Sequence, residues 1–201
     1  MKLKSSILSV FSVALALFGS GCATQIRMSQ VANPPPAEAF SSFSAFELKS
    51  ATLASAYANN DANKKALAKI QERLTSQLQP VFESWGKESK AASNRTLVVA
   101  PVITEIKFVG GAVRVFFGAF AGSSAIIAQV SIVEKETGNV VDSPIFYASS
   151  RTASSAASVG ARMGAGFGVV DNLMLDQIAD NIAAYIKNNY ASAIGGRTGG
   201  Q

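Results

Sequence analysis

The chain of 201 residues contains no histidine and only one cysteine, Cys22. The lack of histidine excludes Ser-His-Asp and Cys-His catalysis, histidine-ligated metals and a histidine pH switch. A single cysteine forms neither an internal disulfide nor a cysteine-only zinc site. Because these absences remove most of the usual enzyme chemistry, we predict a protein that is not an enzyme and that holds no metal or cofactor.

Charge is also scarce. Charged residues make up 15% of the chain, below the roughly one quarter that is typical of soluble domains. The formal net charge is +5, and the basic residues do not cluster, so the sequence does not predict binding to nucleic acid. Abundant alanine, serine and glycine favour a compact domain with closely approaching backbones or an apolar surface.

The residues before Cys22 have the layout of a secretory signal peptide. Lys2 and Lys4 form a positive start, residues 7–18 form an apolar run, and small residues then lead to the cysteine. A helix over that apolar run would be ~18 Å long, well short of the ~30 Å hydrocarbon layer. The sequence therefore predicts a removable signal rather than a permanent membrane span.

The stretch Ser20-Gly21-Cys22 resembles the lipobox of bacterial lipoproteins, although Gly19 stands where that motif usually has an aliphatic residue. The resemblance implies that Cys22 receives lipid and becomes the mature N-terminus. An ordinary signal peptide cut nearby is the alternative, and it would leave an exposed thiol that invites cross-linking in an oxidising compartment. Ala23 replaces the aspartate that marks inner-membrane retention, which implies transport to the outer membrane.

Composition divides the chain into four predicted regions. Residues 1–21 form the lipoprotein signal peptide, and residues 22–42 form a flexible tether that contains Pro34-Pro35-Pro36. Three prolines favour an extended polyproline conformation of about 3.1 Å per residue, which suits a spacer. Residues 43–190 form the folded domain, and residues 191–201 form a disordered tail.

Strands are predicted at 43–53, at 96–108 and in a hairpin formed by 124–134 and 140–148. Gly138 supplies the positive φ that the short hairpin loop needs. In the strand at 96–108, Pro101 predicts a bulge or an edge position. Alternation places six residues of this strand on one face: Val98, Ala100, Val102, Thr104, Ile106 and Phe108.

Two amphipathic helices are predicted at 61–85 and 171–190. The apolar stripe of the first is Leu67, Ile70, Leu74, Leu78, Val81 and Trp85; that of the second is Leu175, Ile178, Ile182, Tyr185 and Ile186. Asp61 is the expected N-cap of the first helix, and Pro80 or Gly86 is expected to end it. The predicted fold class is α+β, a two-layer sandwich of a small, mostly antiparallel sheet packed by the two helices.

Residues 45–190 resemble the domain of unknown function 4410 family. A strand, a crossover rich in glycine and aromatic residues, a second strand, and an acidic residue before a Thr-Gly turn carry the resemblance. The matching positions are Arg114, Phe117, Gly118, Gly122, Ser123, Glu134, Thr137 and Gly138. Glu134 stands where aspartate is common. The family implies an envelope lipoprotein and supplies no catalytic residues.

Two further patterns leave alternatives open. The glycines of residues 160–168 match no nucleotide-binding motif but are compatible with close helix packing in a membrane. Residues 110–133 contain one charged residue, Arg114, yet the glycines and serines at 118–124 argue against a membrane-spanning helix. The predicted contact surface on this segment is Arg114, Phe116, Phe117 and Phe120, whereas Thr137 and Gly138 are structural turn residues.

Glycoside hydrolysis needs two converging acids, and the candidates are Glu105, Glu134 and Asp142. Glu105 and Glu134 could be neighbours in a sheet, but a solvated face is the favoured interpretation. The leading hypothesis is a non-catalytic lipoprotein of the outer membrane that faces the periplasm. It would act as a binding or assembly module for another envelope protein. The alternative is an oligomerising, membrane-inserting protein that uses segments 110–124 and 153–168.

Overall fold

The computed structural model describes residues 33–89, 94–110, 122–152 and 168–192. Within these ranges, eight strands and α-helices follow one another in the order β1, β2, α1, β3, β4, β5, β6, α2. They are β1 (Ala45–Leu48), β2 (Thr52–Leu53), α1 (Asp61–Glu88), β3 (Thr96–Lys107), β4 (Ala125–Glu134), β5 (Val140–Asp142), β6 (Ile145–Ser149) and α2 (Val169–Asn188). Short 3₁₀ turns lie at Phe40–Ser42 and Ser55–Tyr57.

The six strands form one mixed sheet. Strands β1 and β2 both pair in parallel with β3, which pairs antiparallel with β4; β4 in turn pairs antiparallel with β5 and β6. Alternate residues of the central strands join the two helices in a single core cluster, so both helices cover the same face. This arrangement confirms the predicted α+β class, with helices on one face of a mostly antiparallel sheet.

The N-cap of helix α1 lies one residue before the predicted cap. Asn60 is the N-cap, and its side-chain oxygen accepts hydrogen bonds from the backbone N–H groups of Ala62 and Asn63 at 2.9 and 3.2 Å. Asp61, the predicted cap, is the first helical residue and forms an ion pair with Lys64. The prediction was wrong by one position because an asparagine and an aspartate are equally good caps, and only the backbone geometry selects between them.

Helix α1 also continues past both predicted stops, Pro80 and Gly86, and ends at Glu88. The proline removes one backbone N–H, but the flanking residues Leu78 and Phe82 are buried in the core and hold the turn in place. Beyond it, Trp85 packs on Phe46 with ring centroids 5.2 Å apart. The central residues of the predicted stripe are buried as expected, and Phe82 rather than Val81 continues it.

The proline of β3 has a different consequence from the one predicted. The carbonyl groups of Val99 and Ile103 accept hydrogen bonds from the edge that carries β1 and β2, so the missing N–H of Pro101 falls on that edge too. The edge strand breaks there, which divides the predicted strand at 43–53 into β1 and β2. Within the break, the backbone N–H of Ala51 donates to the Gln71 side chain at 2.6 Å. Strand β3 itself is central rather than at an edge.

A bulge interrupts β3 between Ile103 and Glu105. The extra residue reverses the alternation, so Leu97, Val99 and Ile103 face the helices before the bulge and Ile106 faces them after it. The predicted single face from Val98 to Phe108 was therefore wrong beyond the bulge.

The predicted hairpin is confirmed, although its second arm is divided into β5 and β6 at Ser143 and Pro144. The carbonyl of Pro144 still accepts a hydrogen bond from the Val130 N–H at 2.9 Å, so the break costs the ladder little. Helix α2 confirms the second predicted helix, with Leu175, Ile178, Ile182 and Ile186 fully buried.

The last ten residues of the predicted tether pack on the domain. We call residues 33–43 the N-terminal strap. Phe40 and Phe43 are fully buried, and the backbone N–H groups of Phe40 and Ser41 donate to the carbonyls of Asn189 and Tyr190 at 3.3 and 2.7 Å. The prediction of a free tether to residue 42 was wrong because two buried phenylalanine rings stabilise the docked strap more than its prolines favour a spacer. Residues 22–32 lie outside the described residues.

Candidate functional site

Most of the predicted site residues lie outside the described residues. Cys22 falls within residues 1–32, and Arg114, Phe116, Phe117 and Phe120 fall within residues 111–121. The glycine-rich segment 153–167 and the tail beyond residue 192 are outside as well. The structure does describe where both internal segments join the sheet.

Both segments join the sheet at the same end. The register pairs Lys107 at the end of β3 with Ala125 at the start of β4, and pairs Ala125 with Ser149 at the end of β6. Segment 111–121 connects β3 to β4, and segment 153–167 follows β6. We call this row, Lys107–Ala125–Ser149, the segment end of the sheet.

Buried serines hold the chain together at the segment end. Ser124 Oγ accepts a hydrogen bond from the Val109 N–H at 2.9 Å, and Ser150 Oγ accepts one from the Ser124 N–H at 3.1 Å. The Ser150 N–H donates to the Ser124 carbonyl at 2.9 Å. The side chains are small enough for the backbones to approach, and each hydroxyl satisfies a buried N–H that the ladder leaves over. These two hydroxyl groups therefore stabilise the backbone at the segment end.

The predicted turn lies at the opposite end of the sheet. Gly138 has a φ of +73°, as expected for a tight turn that requires glycine. Its N–H donates to the Glu134 carbonyl at 2.8 Å, while Thr137 Oγ1 donates to the Glu134 carboxylate at 2.7 Å and accepts from the Asn139 N–H at 3.2 Å. The acidic residue, the threonine and the glycine therefore form one hydrogen-bonded unit.

Arg95 connects this turn to the N-terminal strap. Its Nε donates to Glu134 at 2.5 Å, and its two terminal nitrogens donate to Glu38 at 2.6 and 2.9 Å. The guanidinium also lies over the Phe43 ring, 4.3 Å from its centroid. A planar guanidinium presents its donors in a fixed fork, which suits it to hold two carboxylates at once.

The charges in this cluster stabilise one another. Hydrogen bonds from Arg95 lower the pKa of Glu38 and, together with the Thr137 hydroxyl, the pKa of Glu134. The two carboxylates in turn raise the pKa of Arg95. Neither Arg95 nor Glu38 is predictable from the sequence, because neither belongs to a motif and Glu38 lies in the predicted tether.

The candidate carboxylates Glu105 and Glu134 do not converge. Glu105 pairs with Ile127 in the sheet and Glu134 pairs with Leu97, so seven β4 residues, or about 23 Å, separate the two positions. A glycosidase pair requires roughly 5 to 9.5 Å. The Asp142 carboxylate instead accepts a hydrogen bond from Tyr185. The idea that Glu105 and Glu134 are neighbours in the sheet was wrong.

Within the described ranges, no group of three or more histidine, cysteine, aspartate or glutamate residues could hold a metal ion. The helices of these ranges also include none with the length and apolar character needed to cross a membrane.

The model of the domain of unknown function 4410 family matches residues 39–153, more than half of the chain. The chain is a member of this family. The match includes the strap from Ala39 onward, both central strands and the Glu134–Gly138 turn, which agrees with the resemblance seen in the sequence. No curated protein matches the chain.

Several solved structures share similarity with the chain. The PelC dodecamer from Paraburkholderia phytofirmans is 12% identical with a TM-score of 0.40, over 78% of this chain and 96% of that one. The hypothetical protein CT253 from Chlamydia trachomatis is 14% identical with a TM-score of 0.39, over 73% and 98%. Protein XCC0632 from Xanthomonas campestris is 11% identical with a TM-score of 0.37, over 72% and 85%.

Proposed function

We propose that the protein is a non-catalytic lipoprotein of the cell envelope, anchored through lipid on Cys22. The signal-peptide layout and the small residues before the cysteine support the anchor. Several acyl chains together give stable anchoring, since each buried methylene contributes about 0.8 kcal/mol. Ala23 supports delivery to the outer membrane, with the domain on the periplasmic side.

The same proposal gives the domain a binding or assembly role rather than a chemical one. The absence of histidine from the sequence removes Ser-His-Asp and Cys-His catalysis and supports such a role. The observation that carries the binding role is the connection of one segment to the segment end of the sheet, the row Lys107–Ala125–Ser149. That segment links β3 to β4 and contains Arg114, Phe116, Phe117 and Phe120. These aromatic residues and one arginine are of the types enriched in protein interfaces. The partner is another envelope protein.

Replacing Cys22 with serine tests the anchor. We expect the precursor to remain unprocessed by the lipoprotein pathway and the protein to lose its lipid-dependent partition into the outer-membrane fraction. Ser20→Ala is a matched control, because a small residue is retained before the cysteine and the protein should fractionate as wild type. A C22S protein that matures normally and stays in the same fraction contradicts the anchor.

A photo-crosslinking residue at Phe117 tests the contact surface. We expect it to link one envelope protein in whole cells, whereas the same residue at the exposed Lys65 of α1 links none. The adduct should disappear when Phe116 and Phe120 are replaced by serine. Equal labelling from Phe117 and Lys65 contradicts a contact surface on this segment.

A second function, oligomerisation with membrane insertion, is favoured by the same row. Segments 110–124 and 153–168 both join the sheet at the segment end, so their small-residue stretches start from neighbouring strands. A soluble form that begins at residue 23 separates the two functions. The binding module predicts a monodisperse protein that leaves dye-filled vesicles intact, and the inserting protein predicts leakage. The soluble form must begin before Asn33, since a start near residue 40 would remove part of the strap.

A further inference from the structure

The N-terminal strap is fastened to the domain at its first described residue. Asn33 Nδ2 donates to the Ile145 carbonyl at 2.9 Å, and the Ile145 N–H donates to Asn33 Oδ1 at 3.0 Å. The side-chain amide thereby imitates a neighbouring strand on the outer edge of β6. One residue further on, the Pro34 carbonyl lies 2.8 Å from the Tyr185 hydroxyl and shares its single proton with the Asp142 carboxylate.

The other end of the strap is fastened more strongly. Two phenylalanine side chains, Phe40 and Phe43, are fully buried, and Glu38 accepts two hydrogen bonds from Arg95. Backbone bonds from Phe40 and Ser41 to the end of α2 complete the attachment. Because both ends are held, the strap lies on the domain, and the described chain begins at Asn33 beside β6 rather than near Phe43.

The position of Asn33 limits the distance between the domain and a lipid anchor on Cys22. Ten residues lie between Cys22 and Asn33, so eleven residue-to-residue steps join them and give a maximum span of about 36–40 Å. Were the strap undocked as far as Ser44, the span would double to about 73–79 Å. Docking of the strap therefore determines the maximum distance between the domain and Cys22.

We infer that the docked strap holds the β6 edge of the sheet towards the lipid bilayer and sets the maximum distance between the domain and the bilayer. This inference rests on the proposed lipid on Cys22. The partner of this edge is the lipid surface itself. The opposite edge, formed by β1 and β2 and covered by α1, lies three strand spacings away, about 14 Å, and faces away from the bilayer.

The test uses the full lipidated protein in phosphatidylethanolamine–phosphatidylglycerol vesicles that contain a headgroup-linked acceptor dye. The chain has one cysteine, so an introduced cysteine is the only free thiol once Cys22 carries lipid. Ser143→Cys places a donor dye two residues from Ile145, and Lys65→Cys places one on α1; both positions are exposed. We expect a larger loss of donor fluorescence at position 143. Equal losses at the two positions overturn the inference.

Asn33→Ala removes the first fastening without touching the core. We expect the donor at position 143 to lose its advantage over position 65, and the Ile145 amide to exchange its hydrogen faster. Ala37→Ser, at an exposed strap position, is the matched control and should change neither. An N33A protein with unchanged transfer and unchanged exchange overturns the inference.

The outcomes separate this inference from the proposed function. If the C22S protein associates with the vesicles as wild type does, the lipid anchor is refuted. If the lipidated protein is anchored through Cys22 but shows equal losses at positions 143 and 65, only the role of the strap is refuted.

Discussion

Phe40 decides whether the strap belongs to the folded domain in solution. Its ring is fully buried, although it lies in a stretch whose prolines predict a tether. Replacing a fully buried phenylalanine by alanine costs about 3–5 kcal/mol, which combines the lost transfer free energy with the cavity left behind. With a urea m-value of about 2 kcal/mol/M, the unfolding midpoint of F40A should fall by about 1.5–2.5 M.

The assay is equilibrium unfolding in urea of the soluble form that begins at residue 23. Fluorescence follows Trp85, the single tryptophan, which stacks on Tyr190 near the end of the strap with ring centroids 4.1 Å apart. Ala37→Ser, at an exposed position of the same strap, should change the free energy of unfolding by less than about 0.5 kcal/mol. If F40A proves too unstable to fold, Phe40→Leu gives a smaller, measurable loss of about 1 kcal/mol.

The reasoning is refuted if F40A and A37S have the same midpoint. That result would mean that Phe40 is exposed in solution, that the strap is undocked and that the spacer extends to residue 42 as the composition predicted. A fall in the midpoint for F40A with an unchanged m-value locates the effect in the stability of the folded state.

Four other substitutions test three local features. Arg95→Met should destabilise the protein at pH 7. The difference from wild type should shrink as the pH falls below about 4, because its two carboxylate partners have lowered pKa values: they contribute their full stability above the unfolded pKa and lose it as the pH falls through the folded pKa. Urea midpoints measured from pH 7 to 2.5 check this, and a constant difference contradicts it. Asn60→Ala should cost about 1 kcal/mol as the loss of an N-cap, whereas Asp61→Asn should cost much less, and thermal unfolding separates the two; equal losses would return the cap to Asp61. Gly138→Ala should cost about 1–2 kcal/mol because φ is +73°, and an unchanged melting temperature would show that the turn adopts another conformation.

The features that the sequence predicted well are those that repeat within a few residues. Ile70, Leu74 and Leu78 recur at the helical period and are buried, and Ile178 and Ile182 behave in the same way in α2. Gly138 was predictable because its loop is short and glycine is the residue that most easily accepts a positive φ. In each case the signal and its structural cause lie in the same stretch of chain.

The features that failed depend on partners far away in the chain. Pro101 predicted an edge or a bulge, and only the pairing of β3 on both sides shows that its missing N–H falls where β1 ends. The bulge lies beyond Ile103 rather than at Pro101 and reverses the face of the later strand residues, and no local pattern gives that position.

What the sequence alone determined is the chemistry excluded by the absence of histidine, the two helices, the hairpin and the α+β class, because composition and periodic burial are properties of contiguous residues. The tertiary structure alone decided the role of the strap. Glu38 meets Arg95 across 57 positions, and Asn33 meets Ile145 across 112. Packing sets such contacts after the chain has folded back on itself, so nothing local at Asn33 or Glu38 distinguishes a docked strap from a free tether.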